Sequence, residues 1–82
     1  MNKITKYKTS DFLFASVLYA LGMEFDGIKS NPQDYKRKWF LFIDNGEIEE
    51  IKKKFLNRKL KIEPQIFWNA MEKLKTLIRQ EI

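Results

Sequence analysis

Between Asp11 and Gly22 the chain runs Phe-Leu-Phe-Ala-Ser-Val-Leu-Tyr-Ala-Leu, in which Ser16 and the Tyr19 hydroxyl are the sole polar groups. Thr9, Ser10 and Asp11 are residue types whose side chains accept hydrogen bonds from the free amides at a helix start, and Gly22 suits the left-handed position just past a helix end. The segment is therefore predicted as a helix over about residues 11–21. A helix that is apolar all round has no side to offer water and must be buried on several faces. A chain of 82 residues has material for one core only, so this helix belongs at its centre and the whole of 1–82 is read as a single domain.

What surrounds the helix must supply the rest of the core. Lys3 to Thr9 is β-branched and aromatic, which predicts a short strand leading into the helix. Met23 to Ile28 alternates apolar with acidic residues before the turn-forming Ser30-Asn31-Pro32, and reads as a second strand with one wet face. Trp39-Phe40-Leu41-Phe42-Ile43 is a continuous apolar run of strand length and is read as the central strand. Asp44 and Glu47 have the spacing of a capping box, favouring a second helix there over a hairpin turning on Asn45-Gly46. Ile48, Ile51 and Phe55 line one face of that helix, and Asn57 can close it. Residues 58–63 suit an extended connector burying Leu60 and Ile62. Pro64 then opens a C-terminal helix over roughly 64–80, with Phe67, Ala70, Met71, Leu74, Leu77 and Ile78 as its apolar stripe. The expected fold is α+β: a small, mainly antiparallel sheet in the order β-α-β-β-α-α, covered by three helices.

Several residues that carry this reading also carry a resemblance. Thr9-Ser10-Asp11, Ala15, Leu18 and Gly22, then Phe40, Phe42 and Asp44, then Leu60, Ile62, Pro64, Phe67, Ala70, Leu74 and Lys75 look like the pattern of a family of small bacterial and phage proteins known only as a domain of unknown function. The resemblance covers nearly the whole chain. Its residues are mostly core and capping positions, so it implies a fold and a phage or mobile-element context, and it brings no catalytic or binding site.

Catalysis has little to work with. The chain contains neither Cys nor His, which removes disulfides, the usual zinc ligands and the common nucleophile–base pairs. Ser10, Ser16 and Ser30 each serve as cap, core or turn residue. Glu24 and Asp26 share a strand face, and with Asp34 they would make a Mg²⁺ site only if a supporting ligand spacing existed; a solvated strand face is the reading preferred. Glycines 22, 27 and 46 are scattered singly and form no phosphate-cradling loop. No catalytic residue, cofactor or metal is assigned, and the protein is expected not to be an enzyme. The N-terminal residues are basic but followed by polar ones, unlike a secretory signal, and Phe12 to Leu21 falls well short of the roughly 20 residues that span a bilayer. A cytoplasmic protein without membrane association is expected.

Binding is the remaining class. A net charge of +5 favours nucleic acid, an acidic protein or an anionic surface as partner, against the alternative of an ordinary lysine-rich exterior. Glu47, Glu49 and Glu50 followed by Lys52, Lys53 and Lys54 complement the dipole of the second helix, and that run is read as structural. Basic and aromatic residues interleave from Tyr35 through Lys36, Arg37 and Lys38 to Trp39 and Phe40. If the first strand neighbours the third, Lys6 and Lys8 would join Lys36 and Lys38 on one sheet face. Phosphates neutralised by Lys6, Lys8, Lys36, Arg37 and Lys38, with Tyr35 or Trp39 stacking on a base, describe a single-stranded nucleic-acid partner. The alternative is that Phe40 and Phe42 are covered by a helix while the lysines blunt a sheet edge. The rival function is a protein-binding module, a phage-encoded inhibitor or a homodimer, using Trp68 at the margin of the last helix.

Overall fold

A computed structural model describes residues 5–34 and 37–80. The elements are β1 (Thr5–Thr9), α1 (Phe12–Ala20), β2 (Phe25–Ser30), β3 (Lys38–Asp44), α2 (Ile48–Leu56) and α3 (Pro64–Gln80). They form the expected α+β fold, a three-stranded antiparallel sheet in the order β1-β3-β2 with three helices. The apolar run does occupy the central strand, where both of its edges are hydrogen-bonded.

The α1 helix is held at both ends by the residues that announce it. The Asp11 carboxylate accepts from the amides of Leu13 at 3.0 Å and Phe14 at 3.3 Å. At the other end the Gly22 amide donates to the Tyr19 carbonyl and the Met23 amide to that of Leu18, with Gly22 at φ +86°. This is the paired closure that a left-handed residue makes possible. It also explains why β2 starts at Phe25 rather than Met23: the Met23 amide is already spent on the helix end. Phe14, Ala15, Ser16, Val17 and Leu18 are all buried. Inside the helix, the buried Ser16 hydroxyl donates to the Phe12 carbonyl at 2.8 Å, so it needs no other partner.

Phe40 and Phe42 point from β3 into the core, joined by Tyr7 and Thr9 of β1 and by Phe25 and Ile28 of β2. The rings interlock edge-on, Phe12 against Phe40 at 6.0 Å and Phe25 against Phe42 at 5.4 Å between centroids. Ile48 and Phe55 of α2 and Leu74 of α3 complete the cluster, and Leu60 and Ile62 of the connector pack against it as expected. All three helices thus contribute to the Phe40–Phe42 side of the sheet.

The start of α2 differs from expectation. Asp44 and Glu47 do not form a capping box: Asp44 Oδ1 accepts from the Gly46 amide at 2.8 Å, and Asn45 Oδ1 accepts from the Glu47 amide at 3.2 Å. Two successive side-chain turns therefore compete with the cap and win, leaving Glu47 as the first residue of the helix margin with no side-chain cap bond. Asn57 does end α2, but the left-handed position falls one residue later, on Arg58 at φ +58°. The start of α3 is capped by Glu63, whose carboxylate accepts from the Ile66 amide at 2.7 Å.

Candidate functional site

A strand buried on one face shows its alternate residues on the other. On β3 those residues are Trp39, Leu41 and Ile43, each half-buried and standing apart from the helix-covered cluster. Strand pairing decides which side chains flank them. Lys6 lies opposite Ile43 and Lys8 opposite Leu41 on β1, while Lys29 lies opposite Trp39 on β2. Three lysines from the two edge strands therefore border an apolar strip with one tryptophan on the face away from the helices.

A bulge in β2 brings Lys29 there. Phe25 pairs with Phe42, Gly27 with Leu41 and Ile28 with Phe40, so one extra residue is inserted between Phe25 and Gly27. Gly27 takes φ +122°, which L side chains rarely adopt. The inserted residue lets Phe25 and Ile28, three apart, both face the core, and it sends Lys29 to the opposite side, where Asp26 also lies. Asp26 there meets Lys6 at 3.6 Å across the sheet. The Lys6 side chain is 77% exposed, so this pair is readily screened and leaves the lysine available to another anion.

Trp39 is the focus of the face. The Lys8 ammonium sits 4.8 Å from its ring centroid, a cation–π distance. A shallow depression of about 450 Å³ opens beside it, bordered by Lys6, Lys8, Lys29, Pro32, Trp39 and Leu41.

The sequence-derived cluster is placed differently from expectation in one respect. Lys6 and Lys8 do not share a face with Lys38, because the β1–β3 register sets them opposite Ile43 and Leu41 rather than Phe42 and Phe40. Lys38 opens β3 on the parity of the core residues, paired with Ser30, and its ammonium lies 3.5 Å from the Ser30 hydroxyl. Arg37 is exposed in the bend before β3, its amide donating to the Asp34 carbonyl at 3.0 Å. Tyr35 and Lys36 lie outside the described residues. Lys29 and Leu41 are members of the face that sequence reasoning missed. The signal that points to Lys29 is Gly27 inside a strand pattern, a common mark of a bulge and hence of a change of face.

Other candidates resolve more simply. Trp68 is 52% exposed on α3, with the Lys75 ammonium 5.9 Å from its ring and Lys75 also 3.6 Å from Glu72. Glu24 precedes β2 rather than lying in it, and among the described residues no group of three or more carboxylates is placed to hold a metal ion. No described helix is long and apolar enough to cross a membrane.

A family model for a domain of unknown function, DUF5659, matches residues 5–80, essentially every element from β1 to the end of α3. The chain belongs to DUF5659. No curated protein and no solved structure matches it significantly. The DUF5659 match spans the buried α1, the central strand and the α3 stripe alike. It names no site, and the functional reading of DUF5659 in this chain has to come from the open sheet face itself.

Proposed function

We propose that this is a small non-enzymatic, cytoplasmic protein of bacterial or phage origin whose open sheet face binds single-stranded nucleic acid. The observation that carries the reading is the joint presence, on the sheet face away from the described helices, of the Trp39 ring and of Lys6, Lys8 and Lys29 from both flanking strands. An unpaired base offers a flat π surface to the indole, and stacking of this kind contributes about 1–3 kcal/mol per base. The three ammonium groups are spaced along the two edges, where a sugar–phosphate backbone crossing or following β3 would run. A duplex keeps its base faces within its own stack and has nothing to lay on Trp39. The +5 net charge adds a long-range attraction for the same partner.

The test compares two triple variants. Lys6→Gln, Lys8→Gln and Lys29→Gln together should abolish binding to a single-stranded oligonucleotide, while Lys52→Gln, Lys53→Gln and Lys54→Gln on α2 should leave most of it. Wild-type log K against log salt should have a slope of about −2, as three phosphate contacts on a single strand require. Equal losses in the two triple variants would mean diffuse charge attraction and would sink the reading.

The half-exposed Trp68 supports a second reading, a protein partner or second copy docking on α3. Under that reading Trp68→Ala, not the lysine variants, changes the sedimentation behaviour or partner binding.

A further inference from the structure

The contact between Lys8 and Trp39 has a double character if the sheet face is a nucleic-acid site. Lys8 is the direct cross-strand partner of Leu41, and its side chain reaches diagonally until its ammonium lies 4.8 Å from the Trp39 centroid. Lys29 is the direct partner of Trp39, yet the indole's cation is Lys8. The surface on which a base would stack is therefore already occupied, from within the chain, by a group that is itself a phosphate ligand.

We infer that Lys8 is an internal competitor for the Trp39 ring: an incoming base displaces its ammonium from the indole, and the freed ammonium then pairs with a phosphate of the same strand. This rests on the nucleic-acid reading above and assigns Trp39 the stacking position within it. The magnitudes permit the exchange, since base–aromatic stacking exceeds an exposed cation–π contact. The displaced cation also does not lose a partner, because the ligand brings its own negative charge to within reach of the long lysine side chain. Lys8 thus weakens binding of a base and strengthens binding of a phosphate, and salt separates the two effects. At low salt the phosphate contact dominates; at high salt, where that contact is screened, only the competition for the ring remains.

The experiment uses the full chain carrying Trp68→Phe, so that tryptophan fluorescence reports Trp39 alone, with a deoxythymidine oligomer of about eight nucleotides as probe. Lys8→Ala and Lys29→Ala should each reduce the salt slope by about 0.7, the value of one single-strand phosphate contact. Lys29→Ala should bind more weakly than the parent at every salt concentration. Lys8→Ala should bind more weakly at low salt and cross over at high salt, becoming tighter than the parent by roughly two- to five-fold, the equivalent of an exposed cation–π contact. If Lys8→Ala instead runs parallel to Lys29→Ala with no crossing, Lys8 is a plain phosphate ligand and the competition is overturned while the binding face stands. If the parent shows no oligomer-dependent change in Trp39 emission and no salt-dependent binding, the face and the competition fall together.

Discussion

Tyr7 looks inward from β1, its ring edge-on to Phe14 with centroids 6.2 Å apart. Burial, and then the negative charges of Asp11 and Asp44, raise the pKa of its phenol above the ordinary 10.0. A raised pKa means that the folded state holds the proton more tightly than the unfolded chain. The resulting stability is fully present below the unfolded pKa and is lost as pH rises through the folded value. The protein should therefore lose stability above pH 10 more steeply than Tyr7→Phe, whose ring cannot ionise, and urea midpoints measured across that range check it. Arg58 presents the opposite situation, a side chain in a conformation that suits glycine. At φ +58° it closes α2, its amide donating to the Phe55 carbonyl while that of Lys59 donates to Lys54. Left-handed backbone costs a residue with a Cβ roughly 1–2 kcal/mol, so Arg58→Gly should stabilise by about 1 kcal/mol after glycine's own entropy is counted. Thermal denaturation of the variant would show no gain if the Arg58 side chain contributes more than its backbone loses. Neither effect was legible in the sequence. Asn57, not Arg58, carries the compositional signal for a helix end, and the Asp11 and Asp44 charges near Tyr7 meet only through the fold.

Among the elements, α1 is the one most plainly written in the chain. Its ten apolar-dominated residues between a capping aspartate and a terminal glycine call for burial on several faces, and the structure buries Leu18 completely at its middle while leaving Leu13 and Leu21 exposed at the margins. Leu18→Ala should cost about 2–5 kcal/mol by equilibrium denaturation, a large part of the stability of a domain this size. A loss under about 1 kcal/mol would mean that the helix is not the centre of packing. The β2 strand was less legible. Alternation from Met23 onward located it, but alternation alone sets Ile28 and Lys29 on the wrong sides, and only the extra residue at Gly27 corrects them. The α2 start was misread for a related reason: Asp44 had the spacing for a cap, but nearer amides at Gly46 and Glu47 captured the side chains of Asp44 and Asn45. Local hydrogen bonds two residues away outcompete a reciprocal pattern that needs three.

For the whole molecule, what the chain hid was which basic residues meet. Lys36, Arg37 and Lys38 are neighbours in sequence, but Arg37 lies in the bend before β3 and Lys38 on the side of the core residues, and pairing between distant strands gathers Lys6, Lys8 and Lys29 instead. The candidate face is thus a product of register, which no single segment encodes. The non-enzymatic reading makes its own prediction at this scale: Mg²⁺ or Mn²⁺ should neither shift Tm nor produce cleavage of DNA or RNA. Divalent-dependent cleavage lost in Glu24→Gln would overturn it. The sheet order carries one more consequence. The neighbours β2 and β3 follow one another in the chain and can pair across a short connection, whereas β1 reaches β3 only by matching Thr9 with Phe40 and Thr5 with Asp44, over the intervening helix and hairpin. Closing that long loop must precede any reward from the β1–β3 pairing, so docking of β1 onto the sheet is expected to be a late and slow event in folding. Two of the three lysines on the open face arrive with it, and a chain that has folded everything else would still lack that edge of the proposed binding face.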